Sequence, residues 1–184
     1  FCELQAEFTL IKQIIIVVLL LVNLMGRAQE NTSLKKIRLE FQEIQNEDDI
    51  EKILAFDYKN AKKAEREMIK AYQAAGTCMR ANYETSPISK LKYFNEGKKI
   101  LEELIIEGKE VENVYLRLLL QLNVPRMLNY HKNIEEDVAF LKASLAKASI
   151  DLSYKKLMIE NLVSVAEKET LKEVLLQIEV VEED

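Results

Sequence analysis

Residues 111–122 (VENVYLRLLLQL) constrain the fold more than any other stretch of the chain. On a helix, Val111, Val114, Tyr115, Leu116, Leu118, Leu119, Leu120 and Leu122 cover most of the circumference. Asn113, Arg117 and Gln121 form a narrow polar stripe on that surface, at i, i+4 and i+8. A helix apolar on nearly every side has to be surrounded by other elements, so it belongs in the middle of the fold. Arg117 then poses a question of charge. A guanidinium is not buried alone, and it requires either a carboxylate partner or an opening to water.

The rest of the sequence supplies helices to surround it. Four glycines and two prolines stand among 184 residues, and no stretch alternates apolar and polar residues with a β-branched bias. The composition predicts an all-α fold. Leu34, Ile37, Phe41 and Ile44 share one face of a helix from Leu34 to about Gln45. A short helix from Ile50 to Phe56 follows cap chemistry at 46–49. The next, from about Ala61 to Asn82, has an alanine-rich inner stripe that another helix can approach closely. Ser86 and Pro87 are a strong start signal for a helix that ends near Glu107, before Gly108. Pro125 closes the apolar helix, and 127–132 read as a loop. Asn133 and Glu136 resemble a capping box opening a helix to about Ala148. Two further helices are expected, from Asp151 or Ser153 and from about Thr170. The sum is an antiparallel helical array of about seven or eight helices.

At the N-terminus, Lys12 precedes the unbroken apolar run Ile14–Val22, and Gly26-Arg27-Ala28 places small residues where a signal peptidase cleaves. Residues 11–28 are expected to be a secretory signal peptide, cut between Ala28 and Gln29. The alternative is an uncleaved membrane anchor. The apolar run is about half the ~20 residues that a spanning helix needs. Residues 1–10, which begin at Phe1, are expected to be upstream translation rather than natural protein. Residues 29–184 then form one α-helical domain, outside the cytoplasm. A domain of that size buries about two-thirds of its unfolded surface, and it folds without metal or disulfide.

Charge and motif content exclude several function classes. Removing residues 1–28 takes away two basic and two acidic residues and leaves the net charge at −5. An acidic chain with no basic aromatic strip is a poor ligand for nucleic acid. Cys78 is the one cysteine beyond the leader, so an internal disulfide is excluded there, and its small-residue surroundings suit a buried apolar side chain. With a single histidine, His131, no G-x-S-x-G, no H-E-x-x-H and no glycine-rich phosphate loop, no catalytic, cofactor or metal set is expected. The acids Glu102, Glu103, Glu135, Glu136 and Asp137 are the one group that helix packing can bring together around a cation.

Two resemblances add to this reading. Gly97, Leu101 and Leu104, then Tyr115, Leu118 and Leu122, follow the tetratricopeptide spacing over about one and a half repeats, with Leu104, Lys109 and Leu119 departing from it. The order KLKYFNEGKKILEELI, YLRLLLQLNVP, LNYHKNIEEDVAFL resembles a group of short exported helical proteins of Bacteroidota, a resemblance over most of 29–184. It implies an all-α fold and a periplasmic location, and it implies no catalytic residues. The polar and aromatic positions within it, Lys92, Tyr93, Arg117, Gln121, Tyr130, Lys132, Asn133 and Asp137, are the ones to mutate first. A polar groove is expected from Arg117, Gln121, Asn113, Tyr93, Tyr130 and Asn133. The function expected is a non-enzymatic module of the cell envelope that binds a protein or a ligand. The alternative is an enzyme with a carboxylate, tyrosine and arginine site in a helical pocket.

Overall fold

The computed structural model describes residues 32–59, 61–178 and 180. The signal peptide expected at 11–28 and its cleavage point at Ala28 and Gln29 lie outside the described residues. The chain divides into two units, Phe1–Lys36 and Ile37–Asp184, and the second holds the core described below. Among the described residues the protein is all-helical: α1 (Thr32–Gln42), α2 (Glu47–Leu54), α3 (Lys63–Arg80), α4 (Pro87–Glu107), α5 (Val111–Asn123), a 3₁₀ turn (Arg126–Leu128), α6 (Ile134–Ser144), α7 (Leu152–Val165) and α8 (Glu169–Leu176). None of these helices is long and apolar enough to cross a membrane.

The apolar helix is central, as its sequence demands. Helix α5 packs against α3, α4, α6 and α7. Val114, Tyr115, Leu116 and Leu118 have no exposed surface. Its polar stripe is buried too: Asn113, Arg117 and Gln121 are all at most 4% exposed, and so is Glu112. The stripe therefore does not open to water.

Helix α3 meets α4 along a seam of small side chains. Ala71, Ala74 and Ala75 are buried on α3, and Gly97 is buried on α4. A Cβ at Gly97 would stand 2.3 Å from the Ala74 carbonyl oxygen and 2.8 Å from the Cys78 amide nitrogen. Only glycine lets the two backbones approach this closely. The inner face of α3 is shifted from the alanine stripe that the sequence predicts. Ala64 is exposed and Met68 and Met79 half-buried; Ala71, Tyr72, Ala75 and Cys78 are buried as expected, and Ile69 and Ala74 are buried beside them. Helix α3 is flanked by α2 on one side and by α4 and α5 on others, so more than one stripe of it is covered.

Local chemistry sets the helix ends. Asn46 caps α2 by accepting from the Asp49 amide at 3.1 Å, and three acids in the first turn complement the helix dipole. At the other end, Gln73 Nε2 on α3 shares its two protons among the carbonyls of Ile53, Leu54 and Phe56 at 3.0–3.3 Å, which ties the end of α2 to α3. Ser86 accepts weakly from the Ser89 amide at 3.5 Å, with Pro87 in the first turn of α4. The box expected at Asn133 forms differently. Its backbone (φ −103°, ψ 4°) is not extended, so its side chain makes no cap bond and instead donates to Glu136 Oε2 at 3.2 Å.

Candidate functional site

Two buried ionic clusters flank α5, and a groove opens beside it. In the first cluster Glu112 of α5 meets Arg38 of α1. Arg38 Nε donates to Glu112 Oε2 at 2.8 Å, and Nη2 donates to Oε1, a bidentate pair. Tyr72 of α3 donates to the same Oε2 at 2.5 Å. The Tyr72 and Tyr154 hydroxyls are 2.7 Å apart, and Gln42 Nε2 donates to Tyr154 at 3.2 Å. Since the Tyr72 proton goes to Glu112, Tyr154 donates to Tyr72. The bonds then run in one direction, from Gln42 through Tyr154 and Tyr72 to Glu112. Asn161 of α7 closes the far end, donating to Gln42 Oε1 at 2.6 Å and to the Tyr115 hydroxyl at 3.0 Å.

The electrostatics follow from this burial. Burial opposes the Arg38 charge, but the hydrogen bonds and charge of Glu112 outweigh it and hold the guanidinium protonated. Burial first, and then the Glu112 carboxylate, push the Tyr72 hydroxyl well above its ordinary value. Tyr154 and Tyr115 are raised as well, chiefly by burial.

The second cluster centres on Arg117. Its Nε donates to Asp137 Oδ2 at 2.8 Å and its Nη2 to Oδ1 at 2.5 Å. Its Nη1 reaches Glu102 Oε2 at 2.8 Å, and Tyr130 donates to the other Glu102 oxygen at 2.7 Å. Arg117 thus takes the carboxylate partner its burial requires, and takes two. Glu102 and Asp137 do meet across helices, as the sequence suggested for a cation site. The cation between them is the guanidinium itself. Among the described residues no group of three or more metal-ligating side chains is left to hold a metal ion.

The six residues expected to share a polar groove are distributed otherwise. Arg117 and Tyr130 come together through Glu102. Gln121 is fully buried with neither amide atom bonded, and Asn113 is buried with its Oδ1 unbonded. Tyr93 is half-buried under the Arg80 guanidinium, 4.8 Å from its ring centre, and Asn133 holds Glu136.

A groove among the described residues lies elsewhere, and none of those six lines it. A groove of about 920 Å³ runs between the C-terminal part of α1, α3, the start of α4, the end of α5 with the turn that follows, and the end of α7. Its floor is apolar: Phe41, Ala75, Phe94, Leu116 and Leu120, all less than a tenth exposed. Leu91 and Met127 stand at its edge, 48% and 88% exposed. Its polar side chains are Gln42, Asn82, Lys90, Asn123, Asn161 and Ser164, with no carboxylate among them. Gln42 and Asn161 also end the hydrogen-bond chain from Glu112, so the first cluster reaches the groove wall. The Cys78 thiol lies in the floor, pushed up to about 12 by burial, and remains a neutral thiol.

Sequence reasoning missed Arg38, Gln42, Tyr72, Glu112, Tyr154 and Asn161. Their partners are 40 to 119 residues apart in sequence, and no spacing rule joins them. Glu112 carried one available signal, since an acid in so apolar a helix needs a partner as Arg117 does. Family models, curated proteins and solved structures were all compared with the chain, and none matches.

Proposed function

We propose that this protein is a non-enzymatic binding module whose ligand occupies the groove beside α5. One observation carries the reading: none of the clustered charges, Arg38, Glu112, Arg117, Glu102 and Asp137, lines the groove, and the first cluster reaches its wall only through the neutral amides Gln42 and Asn161. A groove of about 920 Å³ falls within the ~300–1,000 Å³ of small-molecule sites, and an apolar lining with a few fixed polar groups is their usual make-up. An enzyme of the carboxylate, tyrosine and arginine type needs such groups to converge on a cavity. Here Arg117, Glu102, Asp137 and Tyr130 bond to one another away from the groove, which supports the binding reading over the enzymatic one.

The compartment belongs to the same proposal. The leader-like run at 11–28 and the resemblance to exported Bacteroidota proteins favour an envelope location, with the periplasm the natural reading. Intact mass and fractionation from the native host test it. A species starting near Gln29 in the soluble envelope fraction supports export, and one retaining Ile14–Met25 in the membrane fraction supports an anchor.

The binding reading is tested by native mass spectrometry after exposure to an organic extract of the envelope. Ser164 is exposed on the groove wall, so Ser164→Trp obstructs the groove without disturbing the core. A small molecule retained by the wild type and lost from Ser164→Trp supports the reading. Retention by both, or by neither, argues against it.

A further inference from the structure

The groove's lining restricts the chemistry of what it binds. The chain is acidic overall, with net charge −5, yet the one charged side chain in the lining is a cation, Lys90. Lys90 is exposed near the start of α4, and no ion pair engages it among the described residues. A ligand's anionic group has no carboxylate to oppose it there and one ammonium to meet.

The shape restricts it further. Leu116 and Ala75 in the floor have no exposed surface, and Phe94 and Leu120 are 4% and 7% exposed. The volume of about 920 Å³ is that of a small-molecule site rather than of a protein-sized one. A single hydrocarbon chain is slim enough to lie along the floor. The exposed Met127 at the edge is unbranched and adapts to such a chain.

We propose that the groove takes a single-chain amphiphile with an anionic head, a long-chain carboxylate, with its chain along Phe94, Leu120 and Val165 and its head at Lys90. The proposal rests on the groove being the binding site, and it names the ligand class. Apolar contact supplies most of the affinity, and the Lys90 ammonium selects the head group.

Titration calorimetry on the full chain tests this with dodecanoate, dodecanol and dodecylammonium, each below its micelle threshold. The expected order is dodecanoate tightest, by about fivefold over dodecanol, the scale of one exposed ion pair. Lys90→Glu is expected to abolish that preference, bringing the dodecanoate-to-dodecanol affinity ratio to one or below. Ser164→Trp is expected to weaken all three, with the circular dichroism spectrum as in the wild type. Equal affinity for carboxylate and alcohol, or an unchanged ratio in Lys90→Glu, overturns the head-group assignment and leaves the groove as the binding site. No binding of any of the three overturns the amphiphile proposal, while the envelope-extract experiment still decides whether the groove binds something else. Binding that Ser164→Trp does not weaken lies outside the groove and overturns both readings.

Discussion

The two ionic clusters on either side of α5 both join arginine, carboxylate and tyrosine and differ in almost every other respect. Around Arg117 the partners are near in sequence, on α4 and α6, the neighbours of α5 in the chain. Two carboxylates share one guanidinium there, and Glu102 keeps 28% of its side chain exposed. Around Glu112 the partners come from α1, α3 and α7. One carboxylate meets one guanidinium, both side chains at most 6% exposed, and a train of hydroxyls and amides leads away to the groove. The Arg117 cluster has a second carboxylate and a part-exposed charge, whereas the Glu112 cluster has one ion pair and no exposed charge. It follows that the Glu112 cluster governs how firmly α1, and with it Phe41 and Gln42, is seated against the fold.

The largest effect that separates the two is expected from Arg38→Ala. It leaves Glu112 buried without its cation, and urea unfolding should register a loss of about 3–5 kcal/mol. Replacing both partners by methionine should recover most of that, because two paired charges are exchanged for packed apolar surface. Asp137→Asn strikes the other cluster at its most buried acid. Glu102 still holds Arg117, so the expected loss is smaller, about 1–3 kcal/mol in the same assay. A reversed order of these two losses would break the comparison.

Alkaline pH sharpens it. Tyr72, Tyr154 and Tyr115 on one side and Tyr130 on the other all have hydroxyls raised above the ordinary 10.0. The unfolded chain releases these protons near pH 10 while the native state retains them. Native stability from this source is therefore complete below pH 10 and is lost as pH rises further. Tyr72→Phe with Tyr154→Phe should remove more of that alkaline sensitivity than Tyr130→Phe, read as the unfolding midpoint against pH. The smallest effect is expected at the margin of the Arg117 cluster. Lys109 pairs with Glu136, whose side chain is 58% exposed, and Lys109→Ala should leave the unfolding midpoint unchanged.

How much of this was legible follows from the range of each interaction. The all-α class, the central place of α5 and the start of α4 at Ser86 and Pro87 are consequences of composition, periodicity and caps, all local properties. Arg117 announced its need for an acid because a lone charge in an apolar helix is conspicuous. The groove was not legible. It is a space left where α1, α3, α4, α5 and α7 fail to fill a gap, and no residue type marks a gap. Gln42 and Asn161 read as ordinary surface amides until folding brings them to 2.6 Å of each other. The polar stripe misled for a related reason. Three polar residues on one helix face suggest an exposed face, but they are equally compatible with a buried one in which a single arginine has its partners and two amides have none.

The glycine seam between α3 and α4 carries a consequence for the order in which the molecule assembles. Ala74 and Gly97 are close in sequence, so their contact closes a short loop at little entropic cost. The ion pair of Arg38 with Glu112 spans 74 residues and closes a much longer one. The α3–α4 hairpin can thus nucleate early, with α1 seating late. Under that order a side chain at position 97 retards the folding arm of a chevron plot, while loss of Arg38 hastens the unfolding arm and barely alters the other.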